Sequence, residues 1–415
     1  MNGFALRQGV LHADSVSLAA IAEQYGTPCY VYSRSVLEAA YREFTEACKG
    51  RDALICYAIK ANSNLAVLDV LRRLGAGFDI VSGGELERVL AAGGDPAKTV
   101  FSGVGKTAEE MRRALAAGIL SFNVESEAEL RRLNDIATAM QMRAPVSLRV
   151  NPDIDPKTHP YIATGLAENK FGVPFEDALA LYREADKLDG LRIVGMDVHI
   201  GSQIIELAPF TAAVDKVLEF VDSLAADGIR LRHLDMGGGL GIRYGEESPP
   251  ATRDYIDALF ARIGTRPLKL ILEPGRSLVG NAGVLVTRVE YLKHGERRNF
   301  AVVDAAMNDL LRPALYEAWH AVAPVRPRPG RQRSYDVVGP VCESSDWLAR
   351  DRSLVLEPGD LLALLSAGAY GMSMSSNYNT RPRAAEVMVH GERVLLVRER
   401  ENVRDLFALE RRLPD

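Results

Sequence analysis

Between about residue 36 and residue 281, short apolar runs rich in β-branched residues alternate with amphipathic segments of helical length. This alternation is typical of βαβ units, in which helices connect parallel strands. Eight strands are predicted, and eight favour a closed (β/α)8 TIM-type barrel in an α/β fold. In chain order the predicted strands are 54–59, 77–81, 99–101, 121–124, 146–150, 193–199, 231–236 and 268–272.

The predicted helix starts support this order independently of hydrophobicity. Four of them carry the Ser/Thr-x-x-Glu pattern of a capping box, and three of the four directly follow a strand. One connection, 151–173, has three prolines and no periodicity, so we interpret it as an active-site loop. The four boxes are Ser35/Glu38, Ser82/Glu85, Thr107/Glu110 and Ser126/Glu129.

Beyond residue 281 the pattern changes to alternating strands with turn signals. In AEVMVHGERVLLVRE, for example, His390-Gly391 lies between two β-type runs. A further strand-like segment, 28–32, precedes the first barrel helix. We therefore predict a barrel over 36–281 and a second, mostly β domain, barrel- or sandwich-like, formed by 1–35 with 282–415, which completes the active site.

Composition narrows the class of protein. The chain has 415 residues, 47% hydrophobic and 25% charged, which is typical of two well-packed globular domains. The net charge of −5 comes without a concentrated basic surface, so no nucleic-acid partner is expected. No apolar run reaches 18 residues and no signal peptide is evident, so we expect a cytoplasmic protein without a membrane partner. Four cysteines without CxxC or metal-ligand spacing favour neither disulfides nor a metal site.

Reactive side chains are concentrated at the predicted strand ends. In a closed barrel these ends meet at one mouth, where such enzymes carry their active sites. Taken alone, Lys60 is more typical of a solvated surface lysine and His199 of a histidine in a structural hydrogen bond. The evidence for an active site is that several reactive side chains fall at strand ends that meet at one mouth. The residues are Lys60 after strand one, Asp79 in strand two, Glu125 after strand four, Arg149 in strand five, His199 ending strand six and Glu273 after strand eight.

A glycine-rich turn, GGGLG at 237–241, follows strand seven and can offer backbone amides to a phosphate. It does not fit GxGxxG, because position 242 is isoleucine. A second run, GVGKT from Gly103, lacks the first glycine of a P-loop and is interpreted as a turn before a capped helix. A phosphate cradle facing a lysine suggests pyridoxal 5′-phosphate (PLP), whose aldehyde forms a Schiff base with a lysine. Glu273 can pair with its ring nitrogen, and Arg276 suits a phosphate or an anionic substrate group.

YAIKAN, FDIVSGGEL, HIGSQ, GGGLGI and EPGR, in this order, resemble the fold-type III PLP-dependent amino-acid decarboxylases. The resemblance implies that Lys60 carries the cofactor, that His199 stacks on its ring, that Glu273 pairs with the ring nitrogen, and that Ser202, Gly239 and Arg276 hold phosphate or substrate. The full cofactor-binding set it predicts is Lys60, Asp79, His199, Ser202, Gly238, Gly239, Glu273, Gly275, Arg276 and Tyr370.

Three motifs in the second domain, MNDLLRPALY, GPVCESSD and SAGAYGMSMSSNYNTRPRAAEV, resemble the diaminopimelate branch of this family. The implied reaction converts meso-2,6-diaminopimelate into L-lysine and carbon dioxide, the last step of lysine biosynthesis. Cys342 is expected beside the reacting carbon as the acid, with Lys60 as the alternative and His199 as a further catalytic residue. The resemblance also implies a homodimer in which Cys342 and Glu343 reach the partner's site. The implied substrate-binding residues are Arg276, Arg312, Tyr316, Glu343 and Tyr370.

Three other functions are compatible with parts of this pattern. An alanine-type racemase shares the barrel, but Glu273 disfavours it because those enzymes place an arginine at the ring nitrogen. A non-catalytic PLP carrier lacks the second domain. A decarboxylase for ornithine, arginine or a carboxylated polyamine stays open, although paired arginines would bind a diamine precursor poorly.

Overall fold

The computed structural model describes residues 3–155, 158–159 and 169–414. The chain divides into two compact units. The first, here called the barrel unit, consists of Ala40–Ile242 and Ser248–Ser277. The second, here called the β unit, consists of the chain up to Ala39, the short segment Arg243–Glu247 and the chain from Leu278 onward.

Within the described residues the strands are, in chain order, β1 (Phe4–Arg7), β2 (Val10–Ala13), β3 (Val16–Ser17), β4 (Cys29–Ser33), β5 (Ala53–Ala58), β6 (Gly77–Ile80), β7 (Thr99–Phe101), β8 (Ser121–Val124), β9 (Ala144–Asn151), β10 (Val173–Pro174), β11 (Leu191–Asp197), β12 (His233–Asp235), β13 (Lys269–Leu272), β14 (Gly283–His294), β15 (Asn299–Val303), β16 (Val322–Pro324), β17 (Arg333–Val338), β18 (Trp347–Leu354), β19 (Leu361–Leu364), β20 (Ala385–His390) and β21 (Arg393–Arg398).

The α-helices of the same residues are α1 (Leu18–Tyr25), α2 (Arg34–Ala47), α3 (Leu65–Arg73), α4 (Gly83–Ala91), α5 (Ala108–Ala117), α6 (Glu127–Ala139), α7 (Phe175–Ala185), α8 (Ala208–Ala226), α9 (Thr252–Ile263), α10 (Arg276–Val279) and α11 (Arg312–Tyr316). No helix among them combines the length and apolar character that crossing a bilayer requires.

The barrel unit closes eight parallel strands into a ring. The strand order is β5-β6-β7-β8-β9-β11-β12-β13, and β13 pairs with β5 in parallel, while the short β10 adds to β9. Every residue of β6, β7, β8, β9 and β12 is buried, as expected for parallel strands covered by helices. The predicted (β/α)8 barrel is confirmed, and its eight predicted strands begin and end within two residues of the observed ones.

Three of the four predicted helix caps form. Ser82, Thr107 and Ser126 each accept a hydrogen bond from the amide three residues later, and Thr107 with Glu110 makes a complete capping box. In the Ser82/Glu85 and Ser126/Glu129 patterns, the glutamate accepts from the amide of the residue before the cap. Glu85 accepts from the amide of Val81 and Glu129 from that of Glu125, so each one links a strand end to the next helix.

The predicted box at Ser35/Glu38 does not form. Helix α2 begins at Arg34, and Ser33 rather than Ser35 accepts the hydrogen bond from the Val36 amide. The Ser35 hydroxyl donates to Asp14 instead, at 2.6 Å, and Glu38 pairs with Arg34. The chain therefore caps this helix two residues earlier than the pattern indicated.

The β unit is built on a large sheet ordered β18-β17-β15-β14-β4-β20-β21, with β19 pairing with both β14 and β16. Strand β4 lies between β14 and β20, which explains why an N-terminal segment belongs to the same unit as the C-terminal half. Valines of these strands pack with Leu18 and Ile21 of α1 in one apolar core. Strands β20 and β21 form the predicted hairpin, which turns at Gly391 and Glu392. A mostly β second unit is thus confirmed.

Two other sequence interpretations concern turns. Of the predicted active-site loop 151–173, residues 156–157 and 160–168 lie outside those that the structure describes. The GVGKT run is a structural turn, because Lys106 is buried and donates to the carbonyls of Gly103 and Asn123 and to the carboxylate of Glu129. Its amine is fully engaged in protein contacts.

Candidate active site

Lys60 lies just beyond β5, in a 3-10 turn over Ile59–Ala61. Its amine donates to the Oδ2 atom of Asp79 on β6 at a distance of 2.6 Å. The Asp79 side chain is fully buried, whereas that of Lys60 is 35% exposed. The carboxylate thus fixes the amine at the barrel mouth and leaves it reachable from outside.

The glycine turn after β12 packs too closely for any side chain. A Cβ on Gly238 would lie 2.3 Å from the carbonyl oxygen of Glu273. Gly239 has a φ of +103°, which L side chains rarely adopt. The Gly238 amide donates to Nδ1 of His199, and no hydrogen bond of the described residues uses the Gly239 amide. This backbone can therefore offer a donor to a phosphate oxygen.

His199 lies two residues beyond the end of β11 rather than within the strand. Its Nδ1 atom accepts from the Gly238 amide at 3.2 Å, so this nitrogen carries a lone pair and the ring is neutral. Burial lowers the pKa of His199 well below its ordinary value, and the nearby charges of Arg149 and Lys60 act in the same direction. A neutral, flat ring results, which is suited to stacking.

Glu273 follows β13 and is almost fully buried. Its amide donates to the Gly237 carbonyl at 2.7 Å, which ties the strand end to the glycine turn. Burial raises the pKa of Glu273 well above its ordinary value; the carboxyl groups of Asp235 and Asp79 raise it further, and Lys60 opposes them. This buried carboxyl group, with other acidic groups beside it, is suited to sharing a proton with a ring nitrogen.

Two buried aspartates beside Glu273 were missed from the sequence. Carboxyl oxygens of Asp197, Asp235 and Glu273 lie within 4.8 Å of one another. Burial raises the pKa of Asp235 to about 7, against the lowering effect of its hydrogen bond from the Gly237 amide. Arg149 lies 3.9 Å from Asp197 and 3.2 Å from Glu125. The only signal for Asp197 and Asp235 in the sequence was that each lies in a predicted barrel strand with polar residues at its end.

Arg276, at the start of α10, donates from Nη2 to the Ser202 hydroxyl at 2.9 Å. Both were predicted to hold phosphate or substrate, and the structure brings them together. A Cβ on Gly275 would contact Ala61 and Ala58 at 3.1 and 3.2 Å, so this glycine lets the Arg276 turn approach the turn that carries Lys60.

In the β unit, Arg312 is the first residue of α11 and is buried. Its Nη1 atom lies 2.8 Å from Nε2 of His320, and its guanidinium lies 4.6 Å from the centroid of the Tyr244 ring. Tyr316 ends the same helix and is half-buried. Tyr370, also half-buried, has a positive φ of 55°.

Cys342 and Glu343 lie on an exposed turn of the β unit. Buried Asp346 shapes this turn, because its two carboxylate oxygens accept from the amides of Met307 and Val341, each at 2.7 Å. The Glu343 carboxylate accepts from the hydroxyl of Tyr378 at 2.5 Å. Cys342 and Glu343 are thus more exposed than the other predicted site residues.

His320, Tyr244, Tyr378 and Asp346 are further contacts that sequence reasoning missed. Tyr244 and Tyr378 support Arg312 and Glu343 from distant positions in the chain. His320 lies eight residues after Arg312, and Asp346 ends the GPVCESSD motif, but neither was singled out as a contact. Tyr378 lies within the SSNYNTRPR run, which drew attention for its resemblance and not for this contact.

The barrel unit provides each group that PLP requires: a reachable amine, a side-chain-free turn with an unused amide, a neutral ring and a buried acid. The residues fit that cofactor. A (β/α)8 barrel with this set at the ends of its strands defines the class of PLP-dependent barrel enzymes.

Comparisons with known proteins agree. Residues 34–280 match the model of the pyridoxal-dependent decarboxylase, pyridoxal binding domain. The chain is 61% identical to a diaminopimelate decarboxylase of Pseudomonas aeruginosa over the full length of both. It resembles the crystal structure of the Helicobacter pylori diaminopimelate decarboxylase complexed with L-lysine, with a TM-score of 0.92, 45% identity and coverage of 94% of this chain and 98% of that one. The M. jannaschii enzyme in co-complex with L-lysine matches with a TM-score of 0.95, 38% identity and coverage of 100% and 98%. The chain belongs to the diaminopimelate decarboxylase family.

Proposed function

We propose that this protein decarboxylates meso-2,6-diaminopimelate to L-lysine and carbon dioxide with PLP, the last step of lysine biosynthesis. One observation carries the proposal: Lys60, Glu273 and the Ser202–Arg276 pair occupy strand ends of one barrel, in a chain that matches diaminopimelate decarboxylases over its full length.

The contacts of the barrel unit support the following cofactor-binding roles, to which the β unit adds Tyr370. Lys60 is the attachment point, held by Asp79. The Gly239 amide holds the phosphate together with Gly275, Ser202 and Arg276, and Gly238 keeps the turn free of side chains there. His199 stacks on the ring as a neutral imidazole, and Glu273 holds the proton at the ring nitrogen. Tyr370 also contacts the cofactor. When bound, PLP supplies an electron sink for the electron pair that carbon dioxide leaves behind.

The substrate carries an amino-acid group at each end, so its non-reacting end presents a carboxylate and an ammonium together. We assign the carboxylate to Arg276 and Arg312, with a hydrogen bond from Tyr316. Glu343 receives the ammonium, and Tyr370 contributes to this substrate site as well. An ornithine-type substrate has only an amine there and would leave the arginine charges uncompensated.

We assign the final proton transfer to Cys342, whose thiol donates to the carbon that has lost carbon dioxide, with the Lys60 amine as the alternative donor. The Tyr378 hydroxyl fixes the neighbouring Glu343 carboxylate. Asp346 holds the turn that presents both residues.

The proposed function is tested by incubating the purified protein, loaded with PLP, with a panel of amino acids and measuring carbon dioxide. We expect release from meso-diaminopimelate and little from ornithine, arginine or carboxylated polyamines. Comparable kcat/KM on ornithine or arginine would overturn the substrate assignment. Racemisation of alanine without carbon dioxide release would overturn the reaction class.

We further propose that the enzyme acts as a homodimer in which Cys342 and Glu343 complete the partner's site. Their exposure on an ordered turn supports this arrangement. Mixing inactive Lys60→Ala and Cys342→Ala proteins tests it, because a shared site restores about a quarter of the activity when subunits exchange at random. If subunits are shown to exchange and the mixture still has no activity, a site shared between subunits is excluded.

A cytoplasmic location is also part of the proposal. The four cysteines are all free thiols, which suits a reducing compartment. Fractionation of the producing cells tests it, and recovery of the protein outside the cytoplasmic fraction would contradict it.

A further inference from the structure

We infer that His320 is a positioning residue: as a neutral imidazole it orients the Arg312 guanidinium towards the non-reacting carboxylate of the substrate. The inference rests on the proposed role of Arg312 and deepens it. It adds a residue that touches neither the cofactor nor the reacting carbon.

The hydrogen bonds of His320 set its tautomer. The side chain is fully buried, and Nδ1 lies 2.9 Å from the carbonyl oxygen of Leu365. A carbonyl only accepts, so Nδ1 carries the hydrogen. The Arg312 Nη1 atom, 2.8 Å from Nε2, only donates, so Nε2 carries the lone pair. The imidazole is therefore uncharged and joins Arg312 to a backbone carbonyl.

The backbone around His320 is fixed from two sides. Helix α11 ends at Tyr316, and the next residue, Glu317, has a left-handed conformation with a φ of +51°, which turns the chain so that His320 faces Arg312. The Leu365 amide donates to the Ala321 carbonyl at 2.8 Å, next to the pairing of β16 with β19. Arg352 donates to the carbonyl of His320 at 3.1 Å. The acceptor for Arg312 is thus held by structure that lies outside the short helix.

The chemistry of this partner matters for binding. A carboxylate in place of His320 would also hold the guanidinium, but it would neutralise Arg312 and compete with the substrate carboxylate. The imidazole and the face of the Tyr244 ring hold Arg312 without adding a negative charge. These two contacts orient the guanidinium, and neither of them neutralises its charge.

Two amide substitutions separate the functions of the two ring nitrogens. The amide of His320→Gln lies near the position of Nε2 and keeps an acceptor for Arg312. That of His320→Asn lies near Nδ1, so it keeps the Leu365 contact and loses the acceptor. The probes are L-lysine, which retains the non-reacting amino-acid end, and pentane-1,5-diamine, which lacks the carboxylate. Calorimetric titration of each PLP-loaded variant measures the Kd of both.

We expect His320→Asn to weaken L-lysine about tenfold and His320→Gln by less than about threefold, the scale of one hydrogen bond to a charged group. Neither variant should change the Kd of pentane-1,5-diamine. For meso-diaminopimelate, the KM of His320→Asn should rise more than its kcat falls. His294→Gln, which alters a histidine of the same unit bonded to Tyr335, is the matched control and should change neither Kd.

The reverse order, with Gln weaker than Asn, would mean that anchoring Leu365 is the only role of His320 and would overturn the inference. Equal losses for both ligands would overturn it as well, because general disruption explains them. Arg312→Ala distinguishes the proposed role of Arg312 from that of His320. If it leaves L-lysine binding unchanged, the proposed role of Arg312 fails; if it weakens binding while His320→Asn does not, only the role of His320 fails.

Discussion

Asp346→Asn should loosen the turn that presents Cys342 and Glu343. The buried Asp346 carboxylate accepts two backbone amides, from Met307 and Val341, each at 2.7 Å. Asparagine has one acceptor oxygen, so one amide would face its NH2 group and lose its partner. A hydrogen bond to a charged group contributes about 1.5–3 kcal/mol, so we expect a loss of about 2–3 kcal/mol in the free energy of unfolding of the β unit.

Fluorescence can follow this unit alone. The chain has two tryptophans, Trp319 and Trp347, and both belong to the β unit. Urea unfolding monitored by their emission should show a lower midpoint for Asp346→Asn. In the folded, PLP-loaded variant we expect kcat on diaminopimelate to fall at least about tenfold, since small displacements of catalytic groups are costly. Absorbance of the bound cofactor should stay unchanged.

Asp336→Asn is the matched control. Asp336 is also buried in the β unit and accepts from the Asp351 amide at 2.9 Å and from Arg298 at 3.0 Å. It should lower the urea midpoint in a similar way without lowering kcat. If Asp346→Asn retains wild-type kcat, or if both variants lower kcat equally, the idea that Asp346 shapes the catalytic turn is refuted.

Three further predictions follow from the site. Lys60→Ala should abolish the visible Schiff-base absorbance of the purified enzyme; if the band persists, the attachment point is wrong. Arg312→Ala should lower kcat/KM for diaminopimelate by an amount equivalent to about 2–5 kcal/mol of activation free energy, the scale for breaking a buried charge pair. Unchanged kinetics would remove Arg312 from the site. The folded-state pKa of Asp235, about 7, is above its unfolded value of about 3.9, so the stabilisation it gives when protonated is lost as pH rises towards 7. Asp235→Asn should therefore gain melting temperature relative to the parent between pH 5 and pH 8 in cofactor-free protein, and calorimetry showing parallel pH profiles would contradict this.

The barrel was predictable because its signals are local. Hydrophobic runs set the strands to within two residues, and Thr107 and Glu110 identified a helix start through a pattern four residues long. The predicted capping box at Ser35 was wrong because the local pattern does not show that the Ser35 hydroxyl contacts Asp14, 21 residues earlier in the chain. Even so, the strand-to-helix order was right.

In the candidate site, the residues at strand ends could be predicted from the sequence, but the contacts that hold site residues in place could not. Lys60 and Asp79 are paired because neighbouring parallel strands place them side by side. The bond between Arg312 and His320 depends on a left-handed residue at Glu317, and the one between Asp346 and Met307 joins segments 39 residues apart. Neither distance nor orientation of such pairs can be read from the order of residues.

The glycine turn limits how this enzyme can change. A side chain at Gly238 would collide with the backbone of Glu273, so random mutagenesis there should yield inactive proteins almost without exception. Ser202 and Arg276 instead meet through their side chains, with Arg276 Nη2 2.9 Å from the Ser202 hydroxyl. Directed evolution towards altered cofactor esters should therefore accumulate its useful substitutions at these two positions and leave the three consecutive glycines untouched.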